Sequence, residues 1–264
     1  MFTTIINDCC DANEAGRQQT RASLLFPNSN ITFMGLSNYA EIEASGHLVD
    51  ILDASNRQEG VVLVNSAPRH GGGKKWENGT PFGWFWHGKT LVASTVAGQT
   101  LSLVKKLGIM KEFQVTDLPT VIDKMIAQKH FPASKLDHVV KTQFRSYEYL
   151  PYLARWVKDG LDVPSEALDL NDVPDVPQAV WFVDSFGNCK TTLLAQDMKQ
   201  NIGEKVSTKV GEFTFYDRLK DVPSEQPGMT IGSSGYEDKR FIEITINGKR
   251  ASDKFGLSSG SIVL

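Results

Sequence analysis

Short apolar runs alternate with segments of helical periodicity over the first 160 residues of the chain. A β-branched run at 3–6 and apolar runs at 31–34, 61–64 and 90–93 predict four buried strands. Helices are predicted where apolar residues recur every three to four positions, at 39–54, 101–107, 121–128 and 149–157. Strands that alternate with helices favour a mostly parallel sheet flanked by helices, which indicates an α/β domain.

The pattern changes after residue 160. Residues 161–177 contain three Val-Pro pairs and five acidic residues but no lysine or arginine, which is typical of a stiff connector. Strands with turn residues between them are predicted beyond it, at 180–183, 211–216, 240–246 and 261–264. We therefore expect an α/β domain at 1–160, a Pro-rich acidic linker at 161–177, and a smaller antiparallel, β-barrel-like domain at 178–264.

Charge and cysteine content narrow the class of protein. The 28 Lys and Arg against 31 Asp and Glu leave a net charge of −3, which disfavours a nucleic acid partner. Cys9, Cys10 and Cys189 are odd in number and two are adjacent, which argues against disulfides and for a reducing compartment. No zinc-ligand spacing, signal peptide pattern or long apolar run is present. We expect a cytoplasmic protein with no metal and no membrane association.

Polar side chains follow several of the predicted strands. Asp8 and Asn65 come directly after two strands of the parallel sheet, where such sheets bind ligands. Asp184 ends an apolar run in the second domain. A carboxylate at such a position is partly desolvated and needs donors, which ribose hydroxyls or a ligand ammonium would supply. A helix N-cap or a turn acid is an equally weighted alternative for both aspartates.

Other motifs carry weaker signals. The glycine triplet at 71–73 with Lys74 and Lys75 suggests an anion loop, but it lacks the P-loop spacing, and a surface loop is favoured. The aromatic run at 82–86 is interpreted as core or interface rather than as a wall for a planar ligand. The five histidines are scattered, and we interpret each as a surface or supporting residue rather than a general base. No nucleophile elbow or dinucleotide fingerprint is present.

Five segments together carry a family resemblance. They are Asn7-Asp8, 142–146 (TQFRS), 183–188 (VDSFGN), 232–235 (GSSG) and 251–263. In this combination the chain resembles the S-adenosylmethionine (SAM) hydroxide adenosyltransferases and the related fluorinase and chlorinase. The resemblance implies an α/β domain followed by a β domain, a homotrimer with active sites between subunits, and SAM as the substrate. Members of the family displace methionine from the 5′ carbon of SAM with hydroxide or halide.

The resemblance also implies roles for individual residues. Asp8 would bind the ribose diol, and Asp184 and Ser233, with the adjacent Ser234, would hold the amino and carboxylate groups of methionine. Phe186 and Asn188 would line the nucleoside pocket. Tyr39 and Phe144 would lie beside the ligand, and Ser146 falls at the place of the halide-binding turn.

The chain departs from the family at the water-activating residues. The hydroxide enzymes use Asp, Arg and His, and the matching positions here are Asn65, Lys74 or Lys75, and Arg145. An asparagine cannot act as a carboxylate and an arginine stays protonated, so this trio is not retained. We expect a SAM-binding enzyme that uses water or a small anion, with Asn65, Lys75, Arg145 and Ser146 at the reaction centre.

Two alternatives stay open at this point. One is a trimeric protein that binds SAM or a nucleoside without catalysis. The other is an enzyme that acts on a different adenosine derivative, with a phosphate or carboxylate held by Arg145 and the Lys74-Lys75 loop.

Overall fold

The computed structural model describes residues 1–37, 40–67, 80–96 and 98–264, which form two compact units. The first comprises Met1–Leu48 and Ala54–Pro174, and the second comprises Val49–Asp53 and Asp175–Leu264. Residues 161–174, which we expected in a linker, lie with the first unit, where Glu166–Ala167 pairs with the edge of the sheet. The change from one unit to the other falls after Pro174, inside the segment 161–177.

The first unit has an α/β architecture. Its strands are β1 (Phe2–Asn7), β2 (Asn30–Gly35), β3 (Gly60–Asn65), β4 (Phe82–His87), β5 (Thr90–Thr95), β6 (Gln114–Val115) and β7 (Glu166–Ala167). Its helices are α1 (Ala12–Leu25), α2 (Glu41–Ser55), α3 (Ser102–Lys106), α4 (Leu118–Ala127), α5 (Leu136–Lys141), α6 (Arg145–Glu148) and α7 (Leu150–Lys158). Val49–Asp53 of α2 belong to the second unit. None of the helices in the described ranges is long and apolar enough to cross a membrane.

The sheet of the first unit has a reversal of strand order at β1. In the described residues its order is β2-β1-β3-β5-β4-β6-β7, and β2, β1, β3 and β5 run parallel. The chain leaves β1 for β2 on one side and returns to β3 on the other side. Such a switch point leaves a crevice at the carboxyl ends of the two central strands. In the register, Asn7 of β1 stands opposite Asn65 of β3.

The apolar runs explain the central strands. Every residue of β3 and β5 is buried, as expected for parallel strands covered by helices on both faces. On one face, Ile5 and Leu63 pack in a common core with Ala22 of α1. The aromatic run forms β4, in which Phe82 and Phe85 are buried, so its interpretation as core is confirmed for these two residues.

The second unit is built on a mostly antiparallel sheet. Its elements are β8 (Val180–Val183), β9 (Cys189–Leu194), β10 (Lys205–Thr208), β11 (Gly211–Tyr216), β12 (Pro227–Tyr236), β13 (Lys239–Ile246) and α8 (Ala251–Phe255). The strand order is β10-β11-β12-β13-β9-β8, with β11 and β12 parallel. The end strands β10 and β8 are not paired with each other within the described residues, so this sheet is not a closed barrel.

One predicted strand, at 261–264, is wrong. The backbone there makes a single bridge between Ile262 and Ala179, without a ladder. Gly260, with φ of +87°, turns the chain just before it, and Ser261 accepts a hydrogen bond from the Val180 amide. Val263 is still fully buried, so the apolar pattern reports burial here rather than a regular strand.

Candidate functional site

Asp8 lies at the carboxyl end of β1, beside the crevice at the switch point. Its Oδ2 accepts a hydrogen bond from the backbone amide of Ala67 at 2.8 Å, and its Oδ1 accepts one from Nδ2 of Asn65 at 3.4 Å. A carboxylate oxygen has two lone pairs, so each oxygen retains capacity for one further donor. The geometry therefore leaves Asp8 able to bind a pair of neighbouring hydroxyl groups.

A chain of amide side chains fixes the orientation of Asn65. Nδ2 of Asn65 also donates to Oδ1 of Asn7 at 3.1 Å, and this oxygen accepts a second bond from the Cys9 amide at 2.9 Å. Nδ2 of Asn7 donates to Oε1 of Gln18, whose Nε2 donates to the carbonyl of Cys9 at 3.0 Å. Asn7 and Gln18 are each 1% exposed. The network turns the NH₂ group of Asn65 towards Asp8, so Asn65 acts there as a donor.

Helix α1 connects this network to Phe144. Its N-cap Asp11 accepts hydrogen bonds from the amides of Asn13 and Glu14, which starts the helix shortly after Asp8. Gln18 reaches Asn7, while the guanidinium of Arg17 lies 5.0 Å from the centre of the Phe144 ring. That distance is typical of a cation–π contact.

An aromatic stack surrounds Phe144. Its ring stacks on Tyr147 at 5.4 Å, and Arg17 lies 4.6 Å from the Tyr147 ring. Arg21 donates a hydrogen bond to the Tyr147 hydroxyl at 2.8 Å. The structure therefore places Phe144 in a packed cluster against α1, in the same unit as Asp8.

Arg145 and Ser146 begin the short helix α6. Burial lowers the pKa of Arg145, which is half-buried, and the nearby Tyr149 opposes this shift. Burial raises the pKa of Tyr149, whose hydroxyl shares a hydrogen bond with Thr116 at 2.9 Å. Ser146 is 5% exposed. Because a guanidinium stays protonated, Arg145 offers a partly desolvated cation and no proton acceptor.

Asp184 and Asn188 are brought together in one loop of the second unit. Oδ1 of Asp184 accepts the amides of Phe186 and Asn188 at 2.9 Å each, and Oδ2 accepts Nδ2 of Asn188 at 3.0 Å. Gly187 has φ of +82°, and a Cβ there would lie 2.6 Å from Cβ of Arg250. Asp184 thus holds a tight turn, as the turn-acid alternative proposed. The turn presents Phe186 with 76% of its surface exposed.

Ser233 and Ser234 lie in an irregular part of β12. The pairing with β13 shifts between Ile231 and Gly235, so the Gly-Ser-Ser segment bulges from the ladder. Ser234 is 5% exposed and accepts a hydrogen bond from Nζ of Lys190, whereas Ser233 is exposed. The bulge therefore separates the two serines into a buried and an accessible one.

Glu243, opposite this bulge, is a partly buried acid. Desolvation raises its pKa, and the positive charge of Lys190 opposes that shift. A Cβ at position 232 would fall on the Glu243 side chain, so the bulge packs closely against this residue.

Several predicted residues lie outside the described ranges. Tyr39, Lys74 and Lys75 are among them, so their predicted roles stay predictions. Within the described ranges, no group of three or more His, Cys, Asp or Glu side chains could hold a metal ion.

Sequence reasoning gave no role to Asn7 and did not single out Gln18 or Glu43. The side chain of Glu43 is 4% exposed and lies in a part of α2, residues 42–49, that is buried throughout, with His47 one helical turn later. The signal that could have found this pair is an acid and a histidine four residues apart on a face that also carries Ala44 and Leu48. Asn7 and Gln18 give no comparable signal, because only the packing of α1 on β1 brings them together.

Comparison with known proteins finds a family similarity within the second unit. Residues 178–264 match the family model described as the SAM hydroxide adenosyltransferase C-terminal domain. No curated protein matches the chain.

Two solved structures share the fold over the whole chain. An uncharacterized conserved protein from Thermotoga maritima is 16% identical, with a TM-score of 0.69 and 100% of each chain covered. A conserved hypothetical protein from Thermus thermophilus is 14% identical, with a TM-score of 0.61, covering 100% of this chain and 99% of the other. At this identity the likeness concerns the fold alone.

Proposed function

We propose that the chain is an enzyme that displaces methionine from the 5′ carbon of SAM, because residues 178–264 match the family model of SAM hydroxide adenosyltransferase C-terminal domains. The family match carries this proposal, since it covers Asp184, Phe186, Asn188 and Ser233, four of the residues assigned to substrate binding. The nucleophile is water or a small anion. SAM is the substrate in this proposal, and the reaction needs no metal.

Asp8 is the proposed ligand of the ribose diol. Its two oxygens each accept one protein donor and keep a lone pair, so two neighbouring hydroxyls can bind side by side. Hydrogen bonds to a carboxylate contribute about 1.5–3 kcal/mol each, because one partner is charged. The switch-point position supports this role, since open α/β sheets bind ligands at such crevices.

The second unit supplies the remaining contacts in this proposal. Phe186 and Asn188 line the nucleoside, while Asp184 and Ser233, with Ser234, hold the amino and carboxylate groups of methionine. The exposed ring of Phe186 on a rigid turn supports a contact surface, because a large aromatic side chain gains free energy when something covers it. We propose that a neighbouring subunit of a homotrimer completes each pocket.

The proposed reaction does not require covalent catalysis by the protein. A sulfonium is already an activated leaving group, so the site has to align the nucleophile with the 5′ carbon and remove its water. Arg145 and Ser146, with Lys75 outside the described residues, are proposed to border the nucleophile. Asn65 contributes by orienting Asp8 rather than by activating water.

The test is product analysis. Purified protein is incubated with SAM in buffers without halide and with fluoride, chloride or bromide, and products are quantified by mass spectrometry against a heat-denatured control. The proposal expects free methionine and an equal amount of adenosine, or of a 5′-halo nucleoside when halide is the nucleophile. No methionine release with water or any halide would contradict it.

A second candidate, binding without turnover, is favoured by the geometry of Asn65. The amide is committed to Asp8 and Asn7, so position 65 has no carboxylate to activate water. This candidate predicts calorimetric binding of SAM or adenosine without product. Measurable turnover would remove it.

The third candidate, an enzyme for an anionic adenosine derivative, rests on the desolvated cation of Arg145. It predicts that Arg145→Ala abolishes activity on the anionic ligand and spares the binding of neutral adenosine. Equal losses for both ligands would contradict it.

A further inference from the structure

Glu43 carries a buried carboxylate oxygen that has no hydrogen-bond partner in the described part of the chain. Its Oε1 accepts the Ser37 amide at 3.4 Å, while Oε2 is buried and unpartnered. The side chain is 4% exposed. An unsatisfied buried polar atom costs about 1–3 kcal/mol, and more when it is charged. Such an atom calls for an explanation, and a donor that arrives with a ligand is one.

Glu43 lies at the same edge of the sheet as Asp8. The Ser37 amide that it accepts is two residues beyond Gly35, and Gly35 stands opposite Asn7 in the pairing of β2 with β1. The carboxylate is therefore held just past the carboxyl ends of the strands that form the switch point.

Glu43 and the amide network approach this edge from opposite faces of the sheet. Gln18 of α1 bonds to Asn7, so the side chains of Asn7 and Asn65 lie on the α1 face. The β1-to-β2 and β2-to-β3 connections run in opposite directions across the sheet, and right-handed crossovers put their helices on opposite faces. The carboxylate of Glu43, on α2, therefore comes from the other side.

His47 accompanies Glu43 one turn along α2. Its Nε2 lies 3.7 Å from Oε1 of Glu43, and the imidazole is largely buried. That separation is longer than a hydrogen bond, so His47 is a close neighbour of this oxygen rather than its hydrogen-bond donor. His47 lies next to Oε1 of Glu43, the oxygen that also accepts the Ser37 amide, so Oε2 is left for another group.

A water nucleophile must lose a proton as its oxygen bonds to carbon. The side chains within the described residues differ in their capacity to accept that proton. Asn65 and Arg145 cannot accept a proton. Both oxygens of Asp8 accept protein donors and, in the proposed complex, bind the ribose hydroxyls as well. Glu41 is only partly buried, and its Oε2 accepts the Gln99 amide at 2.9 Å. Glu43 is the buried carboxylate at this edge that keeps a free oxygen within the described residues.

We infer that Glu43 is the proton acceptor of this site, with His47 as a positioning residue that steadies the carboxylate. In the step, the water oxygen bonds to the 5′ carbon as the carbon–sulfur bond breaks. The electron pair of that bond goes to sulfur, methionine leaves, and the water proton goes to Oε2 of Glu43. This inference rests on the proposed function and assigns water as the nucleophile.

The test compares Glu43→Gln with Glu41→Gln, a matched control on the same helix whose carboxylate already has a backbone partner. The glutamine keeps an oxygen for the Ser37 amide but accepts no proton. General-base catalysis contributes about 10²–10⁴-fold. Glu43→Gln should therefore lower the rate of adenosine formation at least 100-fold while the Kd for SAM, measured by calorimetry, stays within about threefold. Glu41→Gln should retain the wild-type rate.

His47→Gln separates positioning from a structural role. It should lower kcat about tenfold and leave KM unchanged. Hydrolysis by Glu43→Gln within about threefold of wild type would overturn the inference, and so would a parallel loss of SAM binding, which would make Glu43 a structural or binding residue. If wild type itself forms no adenosine, the proposed hydrolysis fails, and this inference fails with it.

Discussion

The side-chain amide of Asn65 donates to the carboxylate of Asp8 at 3.4 Å, across the carboxyl ends of two adjacent parallel strands. The same NH₂ group donates to Asn7, so both of its hydrogens are engaged. A carboxylate at position 65 would face two acceptors instead. Asparagine at position 65 therefore offers Asp8 a hydrogen-bond donor, where an aspartate would add a second negative charge.

Replacing Asn65 by Asp should show this directly. The variant would set two carboxylates side by side and raise the pKa of the pair, so it should lose about 1–3 kcal/mol of stability at pH 8 and regain part of it at pH 5, where one carboxyl is protonated. Thermal unfolding at both pH values measures the difference. Asn65→Leu, which removes the donor without adding charge, should lose stability equally at both. A pH-independent loss in Asn65→Asp would contradict the account.

Gln18 should contribute to stability through its buried hydrogen bonds. Gln18→Leu leaves Nδ2 of Asn7 and the carbonyl of Cys9 without their partners, so it should cost about 1–3 kcal/mol. Its neighbour Gln19 makes only a 3.4 Å bond within its own helix, so Gln19→Leu should cost less than about 0.5 kcal/mol. Urea denaturation of the two variants checks this, and equal midpoints would count against the network.

The strand ends were predictable from sequence, and the network between them was not. The β-branched runs that form β1 and β3 are continuous, so they place Asp8 and Asn65 at strand ends without knowledge of the tertiary structure. Helix α1 escaped prediction because its buried residues are Gln18 and Ala22, which give no apolar stripe. The partners of Asp8 therefore depend on packing that the local pattern does not encode.

Sequence-based prediction has the same limit in the second unit. Apolar runs located β8 and β11 with the bounds that the structure has, whereas β9, β10 and β12 were missed. β12 contains the whole Gly-Ser-Ser-Gly segment and a shift of register, which interrupt the alternation that a strand shows in sequence. Sequence reasoning found that segment as a motif, and the structure shows it as a bulge.

The turn at 184–188 should separate stability from binding. Asp184→Ala removes three hydrogen bonds that hold the turn and should cost about 1–3 kcal/mol. Phe186→Ala removes an exposed ring and should leave the unfolding midpoint unchanged, while it weakens SAM binding. Paired unfolding and calorimetric titrations distinguish the two effects. A destabilised Phe186→Ala would show that the ring is packed rather than presented.

Replacing Glu243 should stabilise the folded protein to an extent that depends on pH. Its pKa is raised in the folded protein from the ordinary value of 4.5, so its contribution favours folding below pH 4.5 and is lost as the pH rises through the higher folded value. At pH 8 the desolvated carboxylate is a net cost. Glu243→Gln should therefore raise Tm at pH 8 and leave it nearly unchanged at pH 4.

The size of that effect is within reach of calorimetry. A change of about 1 kcal/mol in the free energy of unfolding shifts Tm by roughly 4–8 °C in a domain of 60–100 residues. A change of less than about 1 kcal/mol is therefore still measurable. Glu212→Gln, at an exposed position on β11, is the control and should shift Tm little at either pH. A lower Tm for Glu243→Gln at pH 8 would mean that attraction to Lys190 outweighs desolvation.

The most direct measurement of the central claim, that Asp8 binds the ribose diol, is a calorimetric comparison of adenosine with 2′,3′-dideoxyadenosine. Wild type should bind adenosine at least about tenfold more tightly, since hydrogen bonds to a carboxylate contribute about 1.5–3 kcal/mol each. In Asp8→Ala the two nucleosides should bind alike. A preference that persists in Asp8→Ala, or a wild type that binds neither nucleoside, would contradict the account.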